Sequence, residues 1–152
     1  MVVGNRPTQV GVRRIEWHHR IGGSAAGEGN VVSGNTGWGA GGIIVRGTGV
    51  VIQGNLIGLN AAGTAAVPNG VAGSSYAAGI DARSGSGHQV GGSGAGEANV
   101  IANNIGAGVH VSSQTTRISG NSIFDNTGLG IDLDGDGVTS NNGSTSGSAP
   151  NN

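Results

Sequence analysis

Two near-copies of one short run, Gly108-Val109-His110-Val111 and Gly130-Ile131-Asp132-Leu133, begin 22 residues apart. Between them stand two more runs of the same kind. Arg117-Ile118-Ser119-Gly120-Asn121 offers Ile118 to a core and then turns on Gly-Asn, and Ser122-Ile123-Phe124-Asp125-Asn126 does the same with Ile123 and a closing Asn. Single apolar residues alternating with polar ones mark half-buried strands and carry no helical period. Three short strands within a period near 22 are the sequence mark of one coil of a parallel β-helix.

The pattern extends back to Ile21. A first-strand column reads Ile43, Ile80, Val109 and Ile131; a second reads Ile21, Ile52, Val90 and Ile118; a third reads Val32, Ile57, Ile101 and Ile123. Gly follows each second-column residue two places on. Asn35, Asn60, Asn104 and Asn126 follow the third column three places on. Gly and Asn tolerate the left-handed and bridge conformations that sharp corners need, and stacked side chains such as Asn55 and Asn121 are set to form amide ladders. These columns predict an all-β parallel β-helix (solenoid) of about five coils, a rod about 24 Å long at ~4.8 Å per coil. Residues 21–35 and 90–104 share nine identities in 15 positions. The unit is therefore a two-coil super-repeat, 21–89 and 90–137, whose first coil carries a six-residue corner insertion. Residues 61–78, with Pro68-Asn69-Gly70 and Tyr76, read as a longer protruding corner, the kind of loop that carries binding in repeat folds. Residues 1–20 read as an atypical first coil or N-terminal cap, and 138–152 as a polar mobile tail.

Composition alone would allow disorder, since Gly makes up 34 of 152 residues and only 10% are charged. The phased Ile and Val columns argue against it, because a disordered chain has no reason to keep apolar residues in register. A net charge of −1 gives no basis for a nucleic-acid partner. There is no Lys and no Cys, which excludes lysine and thiol chemistry and a disulfide framework. No signal-peptide-like apolar run opens the chain, and no segment approaches the ~20 apolar residues of a membrane span, so membrane insertion is not expected.

Three segments, IGG..AGE.NV.SGN, QGNLIGLNAAGTAAVPNG and SGNSIF.N.GLGIDL.GDGVT, resemble the right-handed parallel β-helix repeat proteins of bacteria and metagenomes. The resemblance covers roughly residues 21–152. It implies the right-handed single-stranded β-helix shared with pectate-lyase-like enzymes, and a piece of a larger exported or surface protein. Fold alone assigns no activity.

Chemistry is expected along one strip. Outward positions of the first strand stack as Ile44, Asp81, His110 and Asp132, and the next outward column as Arg46, Arg83, Ser112 and Asp134. Asp81, His110 and Asp132 are candidates for a tuned imidazole, and Arg83 for a bidentate grip on a sugar carboxylate. In lyases of similar fold a carboxylate-bound Ca²⁺ and a basic residue act on such a surface. Arg46, Tyr76 and Trp38 are the candidate ligand-binding residues, the two aromatics being suited to stack on a sugar. Asp132, Asp134 and Asp136 match the first half of a Ca²⁺ loop, although its twelfth position is Gly143 where the bidentate Glu belongs. No cofactor is required, Ca²⁺ being the one candidate. Glu28 and Glu97 recur at one corner as a carboxylate pair or, more simply, as caps on backbone N–H groups. The expected function is a non-catalytic repeat module, a structural or glycan-contacting scaffold; the alternative is a polysaccharide lyase or glycoside hydrolase fragment working on the strip. The expected partners are polysaccharide and, through the solenoid ends, other copies of the chain.

Overall fold

A computed structural model describes residues 19–138. The expected N-terminal cap (1–20) falls almost wholly outside the described residues, as does the tail beyond Val138. Among the described residues eleven strands form, and no helix. They are β1 (Arg20–Gly22), β2 (Val31–Val32), β3 (Ile43–Thr48), β4 (Val51–Gln53), β5 (Leu56–Ile57), β6 (Ala78–Gly91), β7 (Val100–Ala102), β8 (Ala107–Val111), β9 (Gln114–Ser119), β10 (Ser122–Phe124) and β11 (Ile131–Leu133).

Every pairing between these strands is parallel, and none joins neighbours in sequence. One sheet has seven strands on the path β1-β4-β6-β8-β11, with β3 and β9 pairing β6; the other has four, in the order β10-β7-β5-β2. The registers match the three apolar columns read from the sequence. Ile43 lies beside Ile80, Ile80 beside Val109 and Val109 beside Ile131. Ile21, Ile52, Val90 and Ile118 follow in the second column, and Val32, Ile57, Ile101 and Ile123 in the third. All of them except Ile131, which stays exposed, join one core with Val45, Val50 and Val111. Burial of these branched side chains, at ~25 cal/mol per Å² of apolar surface, is the main favourable term in folding. Exposure rises toward the ends, where Ile21, Ile118 and Ile123 are only partly buried.

Two asparagine ladders run alongside the core. In the first, Asn30 Nδ2 donates to Asn55 Oδ1, Asn55 Nδ2 to Asn99 Oδ1, and Asn99 Nδ2 to Asn121 Oδ1, over 2.8–3.0 Å. The second corrects the sequence reading. Asn35 Nδ2 donates to Asn69 Oδ1, not to Asn60, and Asn69 Nδ2 passes the ladder to Asn104 at 2.8 Å. Asn60 instead caps a local turn, its Oδ1 accepting from the backbone N–H of Thr64 and Ala65. An antiparallel bridge between Leu59 and Ala66 closes this excursion on itself, and the chain re-enters the layer at Asn69. The expected single protruding corner over 61–78 is thus two excursions pinned at a buried Asn69.

Candidate functional site

Strand β6 sets Asp81 between Ile44 of β3 and His110 of β8. Alternation along the strand sends Ile80 and Ala82 into the core and Asp81 to the other face. That face does not leave it open. Asp81 is completely buried, which corrects the expectation of an exposed acidic strip. An ionised carboxylate withdrawn from water must be paired and hydrogen-bonded, and Asp81 is. Arg83 Nε donates to its Oδ2 at 2.9 Å and Arg83 Nη2 donates to the same oxygen. His110 Nδ1 lies 3.0 Å from the other oxygen, Oδ1. Arg83 also donates to the Ser75 carbonyl, and its guanidinium sits 4.0 Å from the centre of the Tyr76 ring.

Two site expectations change as a result. Arg46 and Arg83 do not share a column, because the β3–β6 register slips between Val45 and Arg46 and sets Arg46 opposite Ser84. Such a bulge re-aims the side chain beside it. Nor is the Arg83 fork turned toward a sugar carboxylate, since both bonding nitrogens are engaged by Asp81 and Ser75.

The Asp81 bond fixes the proton of a neutral His110 on Nδ1, since a carboxylate only accepts. Its other ring nitrogen, Nε2, is buried and without a hydrogen-bond partner. Gly135, at φ +73°, closes over it so tightly that a Cβ there would lie 2.9 Å from Nε2. The hydrogen bond to Asp81 raises the His110 pKa above the ordinary histidine value, against the opposing pull of burial; the Asp81 and Asp132 charges also raise it and Arg83 lowers it. A folded-state value above the unfolded one means that protonation favours the fold. This stabilisation is complete below the unfolded value of ~6.5 and is lost as pH rises through the folded value. Thermal unfolding across roughly pH 5 to 9 is therefore expected to show a Tm advantage over His110→Gln that shrinks toward alkaline pH. A gap that is constant across that range would refute the linkage.

Asp132 lies in register with His110 but does not complete a dyad, its Oδ1 accepting from the Gly137 N–H at 3.2 Å. Among the described residues no three His, Asp or Glu side chains converge to hold a metal ion. Asp132, Asp134 and Asp136 are accordingly not gathered around one point in this structure. Glu28 and Glu97 cap their own corners, accepting from the N–H of Ala25 and Gly94. Trp38 is 78% exposed on a turn whose next residue, Gly39, lies against Tyr76. Arg46 is exposed.

Sequence reasoning missed His88. It is buried, its Nε2 lies 3.0 Å from the Ser84 carbonyl, and its Nδ1 has no partner. Its position two residues before Val90, on the core-facing parity, was the available signal. Comparison with known protein families, with curated proteins and with solved structures yields no match.

Proposed function

We propose that this chain is a right-handed parallel β-helix module with no catalysis of its own, a rigid scaffold of an exported or surface protein that contacts glycans through its corners. One observation carries the non-catalytic reading. The histidine that would serve as base has one nitrogen committed to Asp81 and the other sealed beneath Gly135. A general base must come within hydrogen-bond reach of the proton it removes, and this imidazole offers a substrate no such nitrogen. The Asp81 cluster ties adjacent strands together. The coiled architecture is supported by the all-parallel pairing, the short corners and the two ladders running the same way.

Incubation with a panel of neutral and uronic-acid polysaccharides, with Ca²⁺ or with chelator, is expected to give neither unsaturated product nor new reducing ends. Turnover that disappears in His110→Ala would replace this reading with the lyase or hydrolase alternative, and the raised pKa of His110 is the one feature on that side. Glycan contact is expected at Trp38, the most exposed aromatic side chain among the described residues. Trp38→Ala should leave the unfolding curve unchanged and weaken affinity for any glycan that binds by about tenfold, the ~1.4 kcal/mol of one lost aromatic contact. Unchanged affinity by calorimetry would move the contact elsewhere.

A further inference from the structure

The two ends of the stack are complementary to each other. In the first ladder each asparagine donates, from its backbone N–H and its Nδ2, to the Oδ1 of the asparagine in the following layer. The second ladder has the same sense, ending with Asn104 donating both groups to Asn126 Oδ1. A ladder with one sense has two unlike ends. At the first layer, no donor among the described residues reaches Asn30 Oδ1 or Asn35 Oδ1. At the last layer, Asn121 and Asn126 still turn their Nδ2 groups onto nearby carbonyls, but their backbone N–H groups find no following oxygen. One end is short of donors and the other of acceptors.

Apolar surface and corner shape agree with this. Ile131, Phe124 and Leu129, 43%, 44% and 36% exposed, all belong to the last layer. Residues 139–152 contain no Val, Ile, Leu, Met or aromatic residue. Corners alternate along the stack. The long corners of the first and third layers meet, so that a side chain at Gly96 would strike the Ser24 carbonyl, and they enclose the tight corner at Gly54. The last layer turns tightly at Gly120-Asn121, so the corner that fits next is a long one, and the first layer has it.

We propose that the last layer of one copy docks on the first layer of a second, extending both ladders and all three apolar columns across the junction. The contact is heterologous, and such contacts repeat into open filaments unless the rotation closes. Two last layers face to face would set donors against donors. The proposal rests on the stacked-coil reading above.

The test uses the absence of cysteine. Val31 and Ser122 share a column through Leu56 and Val100, so docking brings them to adjacent-strand distance, ~4.8 Å and within the span of a disulfide. Under oxidation the Val31→Cys/Ser122→Cys chain should shift from monomer to a ladder of dimers, trimers and larger species on a non-reducing gel. The two single variants mixed in equal amounts should stop at dimers, and each alone should stay monomeric. Leu56→Cys/Val100→Cys is the control, expected to close within one chain. Its failure would overturn the stacking and the docking together. A closed control with only monomers from the double variant would overturn the docking alone, the first layer then being covered by the chain's own residues 1–18. Dimers from Ser122→Cys alone would also overturn it, in favour of a symmetric contact. Sedimentation of the unmodified chain should show mass rising with concentration, a rise abolished by Ile131→Arg; a mass independent of concentration would count against docking in the same way.

Discussion

Asp81→Ala should destabilise the protein by about 3–5 kcal/mol, the range for removing one partner of a buried ion pair. The size follows from what remains. Asp81 is completely buried and holds Arg83 on one oxygen and His110 on the other. Without it, the Nδ1 proton of His110 loses its acceptor inside the fold, beside an Nε2 that already lacks any hydrogen-bond partner. Arg83 is about a fifth exposed, 22%, and can swing toward water, which places the loss toward the lower part of the range. The variant should also change the titration. With the chief cause of the raised pKa gone, burial and Arg83 both act downward on His110, so its value, followed by NMR, should fall below that of the unmodified chain. Asp81→Asn keeps an acceptor for the ring and should lie between. A urea-unfolding loss under ~1 kcal/mol for Asp81→Ala would show that the cluster is not the tie between strands that its geometry describes.

Asn69→Ala and Asn60→Ala form the second large contrast, and here sequence spacing and structure predict different results. By spacing alone Asn60 is the ladder residue, three places after Ile57. In the structure Asn69 Oδ1 accepts from both the backbone N–H and the Nδ2 of Asn35, and Asn69 Nδ2 donates to the Val32 carbonyl and to Asn104 Oδ1. Its truncation strands two donors on Asn35 and the side-chain oxygen of Asn104, all on buried residues. At ~1–3 kcal/mol per unsatisfied buried group, and with some relaxation, the cost is about 3–5 kcal/mol. Asn60 bonds only within its own exposed turn, and Asn60→Ala should cost about 1 kcal/mol or less. Equal losses for the two variants would return Asn60 to the ladder.

The core was legible because its signal is collective. Twelve residues in three columns had to agree, and the pairing registers match all of them. The expectation for Asn60 failed because a local turn can capture a side chain at the right spacing without moving it in the sequence. The Arg46–Arg83 column failed at a one-residue slip in backbone pairing, which leaves no trace in composition or period. Asp81 sits on the expected face but was expected to be exposed, because strand parity gives direction and says nothing of cover. Its cover comes from neighbours along and across the strands, Arg83 and His110. Corner glutamates were read correctly as caps, since Gly94 and Ala25 stand three residues before Glu97 and Glu28 and invite that bond.

The Leu59–Ala66 bridge has a consequence for how such a chain can change over time. The backbone leaves the layer after the buried Leu59, closes its own small loop over 60–65, and returns through Val67, whose carbonyl accepts from the Gly34 N–H, to the ladder at Asn69. Length and composition inside the bridge, over 60–65, are uncoupled from the register of the strands and ladder on either side. Insertion, deletion or wholesale replacement of that segment is thus a change of cargo on an unchanged frame. A lineage can vary what this surface presents without redesigning what holds it up.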